Sequence, residues 1–169
     1  KFSDFLTVAR KVVAFHKNRV YRFTRDLVRG LKRKGYYLLA ISNSPRETVE
    51  EFCKTFGFDK VYGRIYEVDE RGNLNGKTLF PELIRDKAKI LERAVQKEGL
   101  TLKGSVVCGD TESDIPILKM AARPICFNPN QKLYQYAKKA GWEIVVERKD
   151  VIYLERRAHL VDLATLKIN

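Results

Sequence analysis

Apolar positions along the chain alternate between helical and extended spacing. Phe5, Val8, Ala9, Val12 and Phe15 recur with helical period, as do Val20, Phe23, Leu27 and Leu31. Two amphipathic helices are expected there, the second ending near Gly35 behind three cations. Tyr36 to Ile41 follows as an unbroken apolar run, short and abruptly bounded, the pattern of a strand buried on both faces. Ser44, Pro45 and Glu47 then have the spacing of a capping box with proline at the first helical position. Val49, Phe52 and Phe56 supply the apolar face of the helix they open, and Gly57 closes it.

Val61 to Val68 reads as extended, and the turn residues Glu70 to Asn73 predict a hairpin with Leu74 to Leu79. Asp86 to Glu98 is helical, with Ala88, Leu91 and Val95 on one side. Ser105 to Cys108 is a second buried strand, Ile115 to Ala122 a short helix, and Pro124 to Phe127 a third strand. Gln131 to Ala140 is a helix and Trp142 to Val146 a fourth strand. A tail from Val151 is expected to be helical over Glu155 to Leu166. Strands alternating with helices predict an α/β fold with a Rossmann-like parallel sheet. In such sheets ligands sit beyond the carboxyl ends of the strands. Polar chemistry gathers at two of those ends, Ser42-Asn43 and Gly109-Asp110.

Composition narrows the class. The 169 residues fit one domain, with the 44% hydrophobic and 32% charged content of a folded protein. No apolar run is long enough to span a bilayer, and no secretory signal opens the chain. Cys53, Cys108 and Cys126 are an odd number without paired spacing, and Cys108 and Cys126 lie in apolar runs, so buried reduced thiols and a cytoplasmic setting are expected. The net charge of +12 favours anionic partners. A small phosphorylated substrate fits it, whereas the basic positions between Arg10 and Lys34 interleave with apolar ones as on a solvated helix face, which makes nucleic acid the lesser reading.

Within Gly109-Asp110-Thr111-Glu112-Ser113-Asp114 two carboxylates stand four residues apart at the end of a strand, a pairing suited to Mg²⁺ and equally readable as a capping aspartate beside a first-turn acid. Ser42 offers a hydroxyl and the N–H groups after it at a strand-to-helix junction, a natural anion seat or a simple turn serine. Lys87 opens a helix, where the macrodipole opposes a cation, so either surface placement or a functional role accounts for it.

In this order, a strand ending in Ser42, a lysine opening a helix, and strand-Gly-Asp-x-x-x-Asp resemble motifs two, three and four of the haloacid dehalogenase (HAD) superfamily. The stretches Leu38 to Ser42 and Val106 to Leu118, with the turn around Gly72 and Gly76, are similar to its phosphoserine-phosphatase-like branch, subfamily IB. The resemblance implies a phosphomonoester hydrolase acting through an aspartyl-phosphate. Asp110 and Asp114 would serve the Mg²⁺, Ser42 and the Asn43 N–H would bind phosphoryl oxygens, and Lys87 would neutralise their charge. It implies a remnant of a helical cap over residues 1–26, a catalytic core over 27–150 and a tail over 151–169.

The family's nucleophile motif, Asp-x-Asp at the end of a first central strand, does not occur in this chain. A fragment lacking that strand is therefore expected, inactive alone and open to self-association along bare sheet edges. The alternative is an inactive HAD-like module that binds a phosphorylated or nucleic-acid ligand through its basic surface.

Overall fold

The computed structural model describes residues 1–148 and 150–155. The chain forms two compact units, Lys1–Leu100 and Thr101 onward.

In the first unit, helices α1 (Phe2–His16) and α2 (Arg22–Arg33) precede strand β1 (Leu39–Pro45). Helix α3 (Arg46–Lys54) crosses over to β2 (Lys60–Val68), which lies parallel to β1, and β3 (Leu74–Leu79) returns antiparallel on β2. Two further helices, α4 (Pro81–Arg85) and α5 (Lys87–Lys97), follow. The strand order β1-β2-β3 puts β1 at an edge of its sheet. That accounts for a departure from the sequence pattern: the run expected to be buried on both faces is half-buried, with only Leu38 fully covered and Tyr36 exposed.

Helix α1 forms where its period predicts, but Ala9 and Val13 are its buried residues while Val8, Val12 and Phe15 are exposed. The buried line runs through Phe5, Ala9 and Val13, so it keeps Phe5 and Ala9 of the expected set and takes Val13 in place of Val12. The expected capping box at Ser44 does not form either. Strand β1 continues through Ser44 to Pro45, and α3 starts at Arg46 without a side-chain cap.

The second unit is a regular parallel α/β layer. Strands β4 (Val106–Gly109), β5 (Arg123–Phe127) and β6 (Glu143–Arg148) run parallel, connected through α6 (Ile115–Met120) and α7 (Gln131–Ala140). Leu118, Cys126, Leu133, Ala137 and Ile144 form its core. Asn130 caps α7 by accepting the Leu133 N–H at 3.0 Å, and Gly141 ends it at φ 69°, the left-handed conformation that glycine tolerates without cost.

Strand β7 (Val151–Glu155) lies antiparallel on β6. These five residues, the start of the tail, extend the sheet, and Glu155, expected to open a helix, is held there by Lys138 at 2.8 Å and Tyr134 at 3.3 Å. The expected helix beyond Glu155 lies outside the described residues. Cys53, Cys108 and Cys126 are free, and Cys53 and Cys126 are buried. Cys108 is exposed, contrary to the expectation, because β4 is the edge strand of β4-β5-β6-β7 and lacks the cover that β5 enjoys. No helix among the described residues is long and apolar enough to cross a membrane.

Candidate functional site

The acidic turn after β4 is built around Asp114. This residue is 2% exposed, and its Oδ2 accepts the backbone N–H groups of Asp110 at 3.0 Å and Thr111 at 3.1 Å. The Thr111 hydroxyl also reaches it at 3.4 Å. A buried carboxylate is tolerable only with such donors. Asp114 therefore fixes the backbone that carries Asp110 at the strand's carboxyl end. From the other side the Asp110 carbonyl accepts the Asn130 N–H at 2.8 Å, which ties the turn to the start of α7.

Gly109 makes this packing possible. A Cβ there would stand 2.6 Å from Asp114 Cβ and 2.9 Å from its Cγ and Oδ2. Glu112, by contrast, faces solvent. The Asn130 side-chain amide, its own backbone N–H and Lys132 lower its carboxyl to about 2, so it stays ionised at any ordinary pH.

Ser42 and Asn43 lie in the first unit, in an irregular stretch of β1. The ladder pairs Leu39, Ala40 and Ile41 with Lys60, Val61 and Tyr62, then resumes at Pro45 opposite Arg64. Ser42, Asn43 and Ser44 thus stand against Gly63 alone, released from regular pairing. Ser42 Oγ accepts the Ser44 N–H at 3.1 Å, which holds the bulge in shape. Gly63 is required, because a Cβ there would lie 2.5 Å from Arg46 Cα and 2.9 Å from Arg46 N.

Lys87 is the first residue of α5, half-buried, on a helix that packs against β1 within the same unit. Asp86 caps that helix by accepting the Lys89 N–H at 3.2 Å. Its other oxygen binds the Lys89 ammonium at 3.3 Å, and Lys89 is exposed.

The sequence-predicted residues thus fall into two groups: Asp110 with Asp114 in the second unit, and Ser42, Asn43 and Lys87 in the first. The packing roles of Gly63 and Gly109 and the tie from Asn130 carry no signal of their own in the sequence. Gly109 alone stood inside a recognised motif. Among the described residues no cluster of three or more His, Cys, Asp or Glu is arranged to hold a metal ion. Asp114 Oδ2 is committed to backbone N–H groups, whereas Asp110 is exposed at the strand's carboxyl end, which suits Mg²⁺, an ion that takes one or two carboxylates and leaves its other positions to water and phosphate oxygens.

Residues 4–119, more than half of the chain, match the profile of haloacid dehalogenase-like hydrolases. The chain is 26% identical over 125 residues to a histidinol-phosphatase of Neisseria meningitidis, covering 72% of this chain and 56% of that protein. It is 30% identical over 115 residues to a phosphoserine phosphatase of Archaeoglobus fulgidus, covering 67% of this chain and 33% of that one. The chain therefore spans between a third and somewhat over half of the length of these relatives. Among solved structures, a phospho-aspartyl intermediate analogue of phosphoserine phosphatase superposes with a TM-score of 0.60 at 26% identity, covering 75% of this chain and 58% of that one. Its α/β architecture is the Rossmann-like one expected from the strand-helix alternation.

Proposed function

Because the chain belongs to the haloacid dehalogenase-like hydrolase family, we propose that it supplies the phosphate- and metal-handling residues of a Mg²⁺-dependent phosphomonoester hydrolase. The observation that carries this reading is the acidic turn, in which the buried Asp114 carboxylate fixes the Asp110 backbone beneath a glycine that no larger residue can replace. Asp110 is the metal ligand, and Asp114 positions it. Mg²⁺, when bound, supplies positive charge to the phosphoryl oxygens.

The Ser42 hydroxyl and the N–H groups of the bulge, Asn43 included, donate to phosphoryl oxygens. Lys87 supplies a second cation to the charge that shifts as the phosphoryl group moves. Such chemistry is mostly positioning and electrostatics, which is what these side chains offer. The covalent step proceeds through an aspartyl-phosphate whose nucleophile these 169 residues do not supply, since no Asp-x-Asp pair occurs among them. A small phosphorylated molecule is the substrate, and the free cysteines accord with a cytoplasmic setting.

The test is a phosphatase assay with Mg²⁺ and p-nitrophenyl phosphate, on this chain and on one extended by a family-type Asp-x-Asp strand. The chain alone should show no turnover, and the extended one turnover that Asp110→Asn abolishes. Activity of the short chain, or activity that survives Asp110→Asn, would overturn the assignment.

A further inference from the structure

A basic cleft opens in the first unit between α2 and the end of the α3 segment. Asp26, Arg29, Lys32, Arg33 and Phe56 line it, and its volume is about 470 Å³. It is an open surface cleft, and its four charged lining residues are exposed. Its charges are unequal in availability. Lys32 is held by Asp59 at 2.6 Å, and Asp26 is held by Arg25 at 2.8 Å. Arg29 and Arg33 are both exposed; the charge of Arg29 helps hold the Asp26 carboxyl below its ordinary value, whereas Arg33 makes no hydrogen bond or ion pair among the described residues. They stand four residues apart on α2, on one face, so their guanidinium forks can converge on one anion.

Phe56 is half-buried against Phe52, their ring centroids 5.1 Å apart, which fixes an apolar wall beside the cations. Asp26 lies one turn before Arg29 and offers only acceptor oxygens, so it repels a second anionic group at that end and suits hydroxyl or amino donors.

The cleft is separate from the Ser42 bulge. Asp59, which holds Lys32, also accepts the Leu38 N–H at 2.7 Å, so the cleft adjoins the start of β1. Ser42 lies four residues further along the strand, roughly 13 Å away at the rise of an extended chain.

We propose that this cleft is an accessory site for a nucleoside diphosphate, with its phosphates on Arg29 and Arg33, its base against Phe56 and its ribose hydroxyls toward Asp26. A continuous nucleic-acid strand fits less well, because the Asp26 carboxylate interrupts the row of cations that a phosphate backbone would follow.

Calorimetric titration of the 169-residue chain without Mg²⁺ tests this, using ADP, pyrophosphate and adenosine. ADP should bind at least tenfold more tightly than either of the others. The exposed double change Arg29→Ala/Arg33→Ala should weaken ADP tenfold or more while the thermal melt stays unchanged. Phe56→Leu should bring ADP down to the affinity of pyrophosphate. Asp110→Asn and Ser42→Ala should leave ADP binding as it is, which separates this outcome from any failure of the phosphatase reading. Loss of ADP binding in Ser42→Ala but not in the arginine variant would place the ligand on the phosphoryl site and overturn the proposal. Equal affinity for ADP and pyrophosphate in the unaltered chain would overturn it too. A single-stranded oligonucleotide that binds more tightly than ADP and is lost in the same arginine variant would identify the cleft as a nucleic-acid surface instead.

Discussion

Gly109 and Asp114 are packed so closely that the glycine cannot carry a side chain: its Cβ would meet Asp114 Cβ at 2.6 Å. The strand end and the buried carboxylate are therefore one structural unit. Gly109→Ala should force Asp114 away from the N–H groups of Asp110 and Thr111. Overpacking of this kind costs about 1–3 kcal/mol, and the displaced carboxylate would lose hydrogen bonds on top of that. Urea denaturation should show the lowered midpoint, and Mg²⁺ titration followed by amide shifts of Asp110 and Thr111 should show weakened binding. A variant as stable as the parent would mean the turn relaxes freely and holds Asp110 less tightly than its hydrogen bonds suggest.

Acid should weaken the first unit through Asp59. Burial alone would raise its carboxyl, but the Leu38 N–H and the Lys32 ammonium outweigh burial and hold it below the usual carboxylate range. A lowered folded-state value contributes stability that is present above the ordinary value of 3.8 and lost as pH falls through the folded one. Asp59→Asn should therefore be less stable than the parent at pH 7, by about 1 kcal/mol for a partly exposed charged hydrogen bond. The two should converge only as pH falls through the folded-state value, which lies below 3.8. Parallel stability curves across that range would show that the carboxylate's charge contributes nothing.

Lys87 and Lys89 differ in burial at the start of α5, and the proposed role for Lys87 can be tested against its neighbour. The Lys89 ammonium binds Asp86 at 3.3 Å on an exposed side chain, while Lys87, which also has a partner, is half-buried where α5 begins. In an active form of the enzyme Lys87→Ala should lower kcat by on the order of 10²- to 10³-fold, as removal of one electrostatic partner commonly does. Lys89→Ala should cost little activity and only slight stability through the lost ion pair. The reverse ranking would move the role to Lys89.

The sequence is most legible where the chain is most regular. Helix α7 runs from Gln131 to Ala140 as its period predicts, because Asn130 and Gly141 mark both ends and Leu133 and Ala137 face the core between them. Strands β5 and β6 are found where the apolar runs place them, since each has a paired neighbour on both sides. Expectations fail where tertiary context decides. Nothing local says which part of a broad apolar face on α1 is covered: Ala9 is buried, while Val8, Val12 and Phe15 of the same expected set are exposed. Ser44 and Glu47 have capping-box spacing, but pairing at Pro45 keeps the strand extended past the expected helix start. Val151–Glu155 is short and apolar, and the free edge of β6 draws it into the sheet.

The same reasoning extends to the candidate site. Asp110, Asp114 and Lys87 stand after a strand end and at helix starts, which a motif can mark, whereas Ser42, expected at the end of its strand, lies inside β1 because pairing resumes at Pro45. The glycine contacts are invisible in one dimension because the crowding atoms belong to residues brought close only by folding. For Gly63 these are the backbone atoms of Arg46.

Among the described residues β1 pairs with β2 alone and β4 with β5 alone, so each presents an unsatisfied row of N–H and C=O groups along its other edge. Such rows recruit strands from other molecules unless something covers or charges them. Cys108, exposed on β4, offers no charge to oppose this. The 169-residue chain should therefore self-associate with rising concentration, measured by sedimentation velocity under reducing conditions to exclude disulfides. Cys108→Lys places a cation on the edge strand, so it should shift the distribution toward monomer. Cys108→Ser should behave like the parent, since it removes the thiol but adds no charge. A monodisperse monomer at high concentration would show that both edges are covered. Association unchanged by the lysine would place the contact elsewhere, and the exposed apolar stripe of α1 would then be the surface to vary.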